Sequence, residues 1–282
     1  MRLFADDTNH FIRSKVYNTV QAEAETEFRN IISWMNSNHL TINYKKTNFT
    51  VFSPKGKTLS QQYFNNIQVD SLQIFKSEKI KFLGIIIEEH LNWKEHIAYV
   101  CNRVKKLSSI FFKVRYKISA PCLKQLYFAM VHSILQYGVE IYANCQQTYL
   151  NDLKILNNRI LRTLQFGNMR TKVIDLYKSY NTFPVSVLHE FRLCVFVYKY
   201  INYPESLPVS FKNYFRLNLD VHQHHTRNKS LLHVERFQTS HGKRALHYRA
   251  AVMWNSLSIE IKILPSLSLF KNRLLILLHN LF

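Results

Sequence analysis

Near Trp93 the spacing of apolar residues changes, and the spacing beyond that point restricts the fold of this 282-residue chain more than any other feature. Steps of three and four residues separate Ile97, Val100, Val104, Leu107, Phe111 and Val114. Such spacing places apolar side chains on one face of an α-helix. The chain has only 5 glycines and 6 prolines, which also favours long helices over a loop-rich sandwich.

Similar patterns predict further helices downstream. Ser119 followed by Pro121 is a typical helix start, and Gly138 interrupts the pattern that follows. The predicted helices cover residues 120–135, 150–164, 168–180, 185–200 and 266–282, with a stop at Phe183-Pro184.

The first 92 residues have a mixed pattern. A stripe of apolar residues predicts a helix over 18–38, capped by Asn18 or Thr19. Runs of β-branched and aromatic residues predict short strands at 48–52, 67–69 and 79–87, with Gly84 allowing a bulge or a close backbone approach. We therefore predict an α+β fold in which a small sheet with one helix on it precedes a mostly helical region.

Two adjacent carboxylates, Asp6 and Asp7, lie between the apolar runs 3–5 and 11–12. An apolar–turn–apolar pattern of this length predicts a β-hairpin with the acids at or next to its tip. Carboxylates at a hairpin tip can stay ionised and can face a divalent metal. The dipeptide alone is also common in solvated turns.

The chain carries a large positive charge. It has 38 Lys and Arg against 18 Asp and Glu, for a net charge of +20. A surface this basic attracts polyanions, of which nucleic acid is the commonest. An anionic membrane surface is the alternative, but the basic residues are interleaved with aromatics along the whole chain, and no apolar run reaches the roughly 18 residues that span a bilayer. We expect a nucleic-acid partner and no membrane.

Cysteines and histidines give weaker indications. The four cysteines, Cys101, Cys122, Cys145 and Cys194, lie far apart, which predicts buried, reduced thiols in an intracellular protein. A zinc or nucleic-acid module is one interpretation of the histidine-rich region, and a partly protonated loop facing a polyanion is the favoured one. Its histidines are His222, His224, His225, His233, His241 and His247. Trp254 is expected to anchor the core and not to stack on bases.

Several motifs occur in a recognisable order. Phe4-Ala5-Asp6-Asp7 is followed by Asn43-Tyr44-Lys45-Lys46-Thr47 and then by Phe82-Leu83-Gly84. In this order and at this spacing they resemble the catalytic hairpin, the motif that follows it and the primer-grip hairpin in reverse transcriptases of non-LTR retrotransposons, jockey-like elements especially. Other segments that resemble downstream parts of such elements are Leu91-Asn92-Trp93, His96-Ile97, Leu135-Gln136-Tyr137-Gly138, Asn157-Asn158-Arg159 and Trp254-Asn255-Ser256-Leu257.

The resemblance implies catalytic roles for the first two motifs. Asp6 would be a carboxylate shared between two Mg²⁺ ions, with Asp7 beside it as a supporting acid. Lys46 would lie near the phosphates of the incoming nucleotide, as a cation or general acid. Lys45 is the rival for that role, and a plain surface lysine is the alternative.

It also implies contacts with nucleic acid. Phe82, Leu83 and Gly84 would hold the primer strand, unless they form an ordinary buried strand. The basic faces of the helices beyond Trp93 would follow the sugar-phosphate backbone without reading sequence. The cations that we select there are Arg103, Lys105 and Lys106.

The implied organisation is a partial palm at 1–92, a helical thumb-like region at 93–202, and a basic C-terminal region with a terminal helix at 203–282. The chain would be the C-terminal part of an RNA-directed DNA polymerase that uses Mg²⁺, an RNA template and a DNA primer in two-metal nucleotidyl transfer. In this family another palm Asp and the fingers lie upstream of the hairpin. We therefore expect the chain to need N-terminal polymerase segments, to hold Mg²⁺ weakly or not at all, and to be inactive alone. A non-catalytic, nucleic-acid-binding helical protein derived from a retroelement and a plain basic scaffold are the alternatives.

Overall fold

In a computed structural model the chain divides into two compact units, Met1–Asn92 and Trp93–Phe282. The structure describes residues 2–4, 7–13, 17–52, 66–69, 72–221 and 229–281. Short antiparallel strands occur in the first unit, and helices make up most of the second. The predicted α+β class, with a mostly helical second part, is confirmed.

The described strands of the first unit form antiparallel pairs. The pairs are β1 (Arg2–Phe4) with β2 (Asp7–Asn9), β3 (Asn66–Val69) with β4 (Leu72–Phe75), and β5 (Lys79–Phe82) with β6 (Ile85–Glu88). Each pair is a separate two-stranded sheet, so the prediction of one small sheet is wrong for the described residues. The strands are three or four residues long, and a local hairpin closes at a lower entropic cost than a ladder between distant segments.

The helix predicted over 18–38 is confirmed as α1 (Tyr17–Ser37). The helix begins at Tyr17, one and two residues before the predicted caps Asn18 and Thr19. The apolar face of α1 contributes to a small core with β3. The buried residues of this core are Ala24, Ile67 and Val69.

The strand predicted at 48–52 is wrong. Phe49 forms a single β-bridge with Lys76, and the Thr50 hydroxyl donates a hydrogen bond to the Ser77 carbonyl at 2.6 Å. The Phe49 amide donates to the Phe75 carbonyl at 3.5 Å, and the Phe49 carbonyl accepts from the Ser77 amide at 2.8 Å. The segment therefore lies beside the strand residues without becoming a strand.

A two-residue turn joins β5 to β6. Its residues are Leu83 at φ 46° and Gly84 at φ 81°. Positive φ at both positions is typical of the type I′ turn, whose twist matches that of the flanking strands. Gly84 therefore serves the turn, and the bulge or close approach expected there is not what the structure shows.

The second unit is built from helices. They are α2 (Lys94–Val114), α3 (Ala120–Leu126), α4 (Ser133–Gln136), α5 (Val139–Tyr142), α6 (Gln147–Leu164), α7 (Val173–Tyr180), α8 (Val185–Asn202), α9 (Asn218–Val221), α10 (Leu246–Ser256), α11 (Ile259–Lys262) and α12 (Leu267–Leu281). A π-helical segment, Tyr127–His132, joins α3 to α4. The predicted helices are confirmed, although the one expected at 168–180 begins at Val173. Within the described residues no helix has the length and apolar character needed to cross a bilayer.

The core of the second unit joins distant helices. α2 packs on α6, and α8 packs on α10 and α12. The rings of Tyr198 and Phe270 stack with their centroids 4.2 Å apart, and Trp254 lies 5.9 Å from Phe270. Trp254 is buried, so its prediction as a core anchor is confirmed.

All four cysteines are free thiols, as predicted. The predicted burial is confirmed for Cys101, Cys145 and Cys194 but is wrong for Cys122, which is exposed. Burial raises the pKa of Cys145 to about 11 and that of Cys194 to about 12. The two thiols are therefore protonated and act as small apolar side chains in the core.

Candidate functional site

The hairpin predicted at the start of the chain is present. β1 and β2 pair with Leu3 opposite Thr8 and Phe4 opposite Asp7. Asp7 is the first residue of β2, and its side chain is exposed. Asp6 lies outside the described residues. The hairpin thus presents at least one carboxylate to solvent, where it can remain charged and can bind a cation.

A cavity of about 200 Å³ in the first unit brings distant parts of the sequence together. Thr8, next to Asp7, and Thr47, next to Lys46, both line it, as does Ile74 of β4. Its opposite wall comes from α1. The segments that carry the first two motifs therefore converge on one cavity, although they are about 40 residues apart in sequence.

Lys46 lies on an exposed turn. The backbone amides of Lys46 and Thr47 both donate to the Asn43 carbonyl at 3.0 Å, which fixes the backbone of the motif. Lys45 and Lys46 are both exposed. The geometry of the turn leaves both lysines available to an anion.

The third motif lies close to the first. Phe11, which follows the hairpin, contacts Phe82 edge to face with ring centroids 6.3 Å apart. His10 approaches Glu27 of α1 at 3.6 Å and links this segment to the helix. Phe82 is half-buried, whereas Leu83 is exposed at the turn. Of the three residues in this motif, Leu83 is thus the most open to a ligand.

The donor atoms of Asp7 suit a hard divalent cation. Carboxylate oxygens are the ligands that Mg²⁺ prefers. Across the part of the chain that the structure describes, no three or more His, Cys, Asp or Glu side chains form a group that could hold a metal. Among the described histidines, His247 lies 3.6 Å from Glu235 and His233 lies 3.3 Å from Asn218. His241, from the same histidine-rich region, is exposed. His222, His224 and His225 lie outside the described residues.

Of the three cations predicted on α2, Lys105 lies on a different face from Arg103 and Lys106. Lys105 lines a groove of about 510 Å³ between α2 and α6. Arg103 lies over the Tyr99 ring, 5.8 Å from its centroid. Neither Arg103 nor Lys106 lines the groove, because helix positions one or two residues apart do not share a face.

This groove has a basic lining that sequence reasoning did not predict. Lys94 and Lys105 contribute from α2 and Arg159 from α6, with Asp152 as the acidic residue of the lining. Burial raises the pKa of Cys101 on the groove wall, Asp152 raises it further and Lys105 opposes the rise. Arg159 belongs to a motif noted in the sequence, but only the packing of α2 on α6 brings it beside Lys105.

Proteins of one class are similar in sequence to this chain, namely RNA-directed DNA polymerases of mobile elements. Two of them are the polymerases of the mobile element jockey in Drosophila melanogaster and Drosophila funebris. The first is 22% identical over 178 residues, which are 61% of this chain and 19% of that protein. The second is 24% identical over 115 residues, which are 39% of this chain and 12% of that protein.

The resemblance to a jockey-like reverse transcriptase is therefore confirmed, at low identity. The chain spans about a fifth of the length of one relative and about an eighth of the other. No protein-family model matches the chain. No solved structure matches it either.

Proposed function

We propose that this chain forms the C-terminal palm and thumb segments of an RNA-directed DNA polymerase that extends a DNA primer on an RNA template. The observation that carries the proposal is the similarity to the jockey polymerases over 178 residues. Residues 1–92 would be part of the palm, 93–202 the thumb and 203–282 a basic C-terminal region. The convergence of the segments bearing Asp7 and Lys46 on one cavity supports the assignment.

The reaction needs hard oxygen donors beside the phosphates of the nucleotide. Asp6 and Asp7 would hold Mg²⁺, which when bound activates the primer hydroxyl and stabilises the leaving oxygen. Lys46 would neutralise phosphate charge from its exposed turn. Leu83 and Gly84, at the β5–β6 turn, would position the primer strand together with Phe82.

Two adjacent carboxylates bind a divalent cation weakly. Magnesium demands nearly octahedral coordination and dehydrates reluctantly, so a lasting site needs a further acid that these residues do not supply. We therefore propose that the chain alone binds primer–template but does not extend it. N-terminal polymerase segments would complete the site.

Primer extension tests this proposal. The purified chain with Mg²⁺ should give no templated synthesis, whereas adding the N-terminal segments of a jockey polymerase should restore it. Asp6→Asn and Asp7→Asn should abolish the restored activity. Glu78→Gln, at an exposed acid elsewhere in the first unit, is the matched control and should retain it. Robust synthesis by the chain alone would contradict the incomplete site.

The basic groove favours a second candidate, a non-catalytic protein that binds nucleic acid. In that case the chain should bind primer–template with an affinity that falls steeply with salt, because each neutralised phosphate releases counterions. Reconstitution would then never yield extension. A plain basic scaffold would show neither the salt-dependent binding nor the extension.

A further inference from the structure

An exposed aromatic cluster lies where α2 and α6 end. Phe112, Tyr116 and Phe166 are 59%, 73% and 52% exposed. The guanidinium of Arg115 lies 4.5 Å from the Phe112 centroid and 4.6 Å from the Tyr116 centroid, and the rings of Tyr116 and Phe166 are 5.3 Å apart. Three large rings around one cation leave much apolar surface in water, which marks a site of interaction.

The aromatic cluster continues the basic groove. On α2, Phe112 follows Lys105 by seven residues, and on the α6 side Phe166 follows Arg159 by seven. On α2, seven residues are about two helical turns, or about 10 Å, so Phe112 lies on the same face as Lys105. Phe166 lies two residues beyond the end of α6, where its ring contacts that of Tyr116. Tyr116 lies two residues beyond the end of α2, and its ring shares the Arg115 guanidinium with Phe112. Both helices therefore offer a cation and then an aromatic ring in the same direction.

Phe166 occupies a strained backbone position. It has φ 53° directly after the end of α6, and the next amide, that of Gly167, donates to the Arg162 carbonyl at 2.9 Å. This helix ending normally places glycine at the left-handed position. A phenylalanine there costs free energy that a glycine would not, and strain of this kind often accompanies function. The strain holds an aromatic ring in solvent beside Tyr116.

We propose that the groove and the aromatic cluster bind an unpaired strand of nucleic acid. Phosphates would lie along Lys94, Lys105 and Arg159, and bases would stack on the aromatic cluster. A charged groove combined with stacking rings is how proteins hold single strands without reading sequence. The choice of nucleic acid as the polyanion rests on the proposed function, whereas the site is separate from the cavity of the first unit. Asp152 faces the same groove and opposes phosphate binding.

Binding by the full chain tests the proposal, with a fluorescently labelled, unstructured RNA of about 20 nucleotides, longer than the site. Phe112→Ala and Tyr116→Ala should each weaken binding about fivefold or more, which is the usual effect of losing one stacking ring. A strand of the same length without bases should bind both variants and the parent equally. Ile110→Ala is the control, because Ile110 lies on the opposite face of α2 and is 48% exposed. It should change the affinity for neither strand.

The variant Phe166→Gly distinguishes a loss of RNA binding from a loss of stability. Glycine relieves the strain at φ 53°, so this variant should melt at the same temperature as the parent or higher, yet bind the RNA more weakly. Asp152→Asn should tighten binding of both strands. Equal losses for the two strands, or full affinity in the aromatic variants, would overturn the proposal. Failure of primer extension in the reconstituted polymerase, with RNA binding intact, would count against the proposed function alone.

Discussion

Asn157 shows how one residue can be fixed by its hydrogen bonds. It is fully buried, and its Oδ1 accepts from the Tyr127 hydroxyl at 3.1 Å while its Nδ2 donates to the Tyr177 hydroxyl at 3.0 Å. Tyr177 in turn donates to Asn158 at 2.8 Å. Burial raises the pKa of Tyr127 to about 12 and raises that of Tyr177 further. Both phenols therefore stay protonated and can donate across the physiological range.

Replacing Asn157 tests this network. Asn157→Ala should lower the free energy of unfolding by about 2 to 4 kcal/mol, because two buried hydroxyls lose a partner and a small cavity opens. Asn158→Ala, which removes one bond at a half-buried position, should cost about 1 kcal/mol. Urea unfolding of each variant gives both values. An unchanged midpoint for Asn157→Ala would contradict the prediction.

Two buried histidines predict how stability depends on pH. Burial lowers the pKa of His96 to about 4, and burial followed by the charge of Arg249 lowers that of His189 to about 3. In the unfolded chain both have a pKa near 6.5, so below that pH the unfolded state binds more protons. Their contribution to stability is complete above pH 6.5 and is lost as the pH falls toward 4 and 3.

The expected slope is measurable. Below pH 6.5 each histidine should remove up to about 1.4 kcal/mol of stability per pH unit. Urea unfolding at several pH values between 7 and 4.5 would measure this slope. His189→Gln should reduce it by up to about 1.4 kcal/mol per pH unit, the contribution of one proton. A slope that is the same in the parent and in His189→Gln would contradict the assignment.

Among the secondary-structure elements, the β5–β6 turn carries a residue that its backbone conformation disfavours. Leu83 adopts a positive φ. Type I′ hairpin turns prefer Asn followed by Gly at these two positions. Leu83→Asn should stabilise the hairpin by about 1 kcal/mol, and Gly84→Ala should destabilise it by a similar amount. Hydrogen exchange of the amides in β5 and β6 would report both changes. Faster exchange in Leu83→Asn would show that the leucine stabilises the turn.

The positions of the helices were easier to predict from the sequence than their internal geometry. The spacing of apolar residues located α2 and α6, because each helix buries one face. The π-helical segment at Tyr127–His132 was missed, although Leu123, Tyr127, Val131 and Leu135 are all buried at intervals of four. An interval of four exceeds the α-helical period of 3.6, so wider turns keep the four residues on one side. The alternating pattern at 48–52 was misleading, because this segment forms a single β-bridge at Phe49 and no strand.

The two units differ in the size of the cores that their described residues form. The buried core around Ala24, Ile67 and Val69 is small, whereas the core of the second unit runs from Ile97 to Leu278. Stability grows with the apolar area that folding removes from water. The first unit should therefore unfold at a lower denaturant concentration than the second.

Limited proteolysis in increasing urea would measure this difference. Sites within Met1–Asn92 should become sensitive first, while a fragment close to Trp93–Phe282 survives. Hydrogen exchange should show the same order, with slower exchange in α6 and α8. One cooperative loss of protection across both units would contradict the prediction.

The candidate site was predictable only in part. Asp7 and Lys46 could be selected because their motifs are short and local. The basic groove could not, because Lys105 and Arg159 are 54 residues apart in sequence and meet only through the packing of α2 on α6. The aromatic cluster was missed for the same reason, since Phe166 joins Tyr116 from another helix.

The pairing of α2 with α6 also has an electrostatic consequence. The early residues of both helices line the groove, and their ends meet at the aromatic cluster, so the two helices run in the same direction. Each carries a macrodipole with about half a negative charge at its C-terminus, and here these ends lie side by side. Phosphates are thereby repelled from the aromatic end and drawn toward the beginnings of the helices, while Arg115 offsets part of the negative field. A phosphate at the aromatic end would therefore be held less tightly than a phosphate beside Lys94.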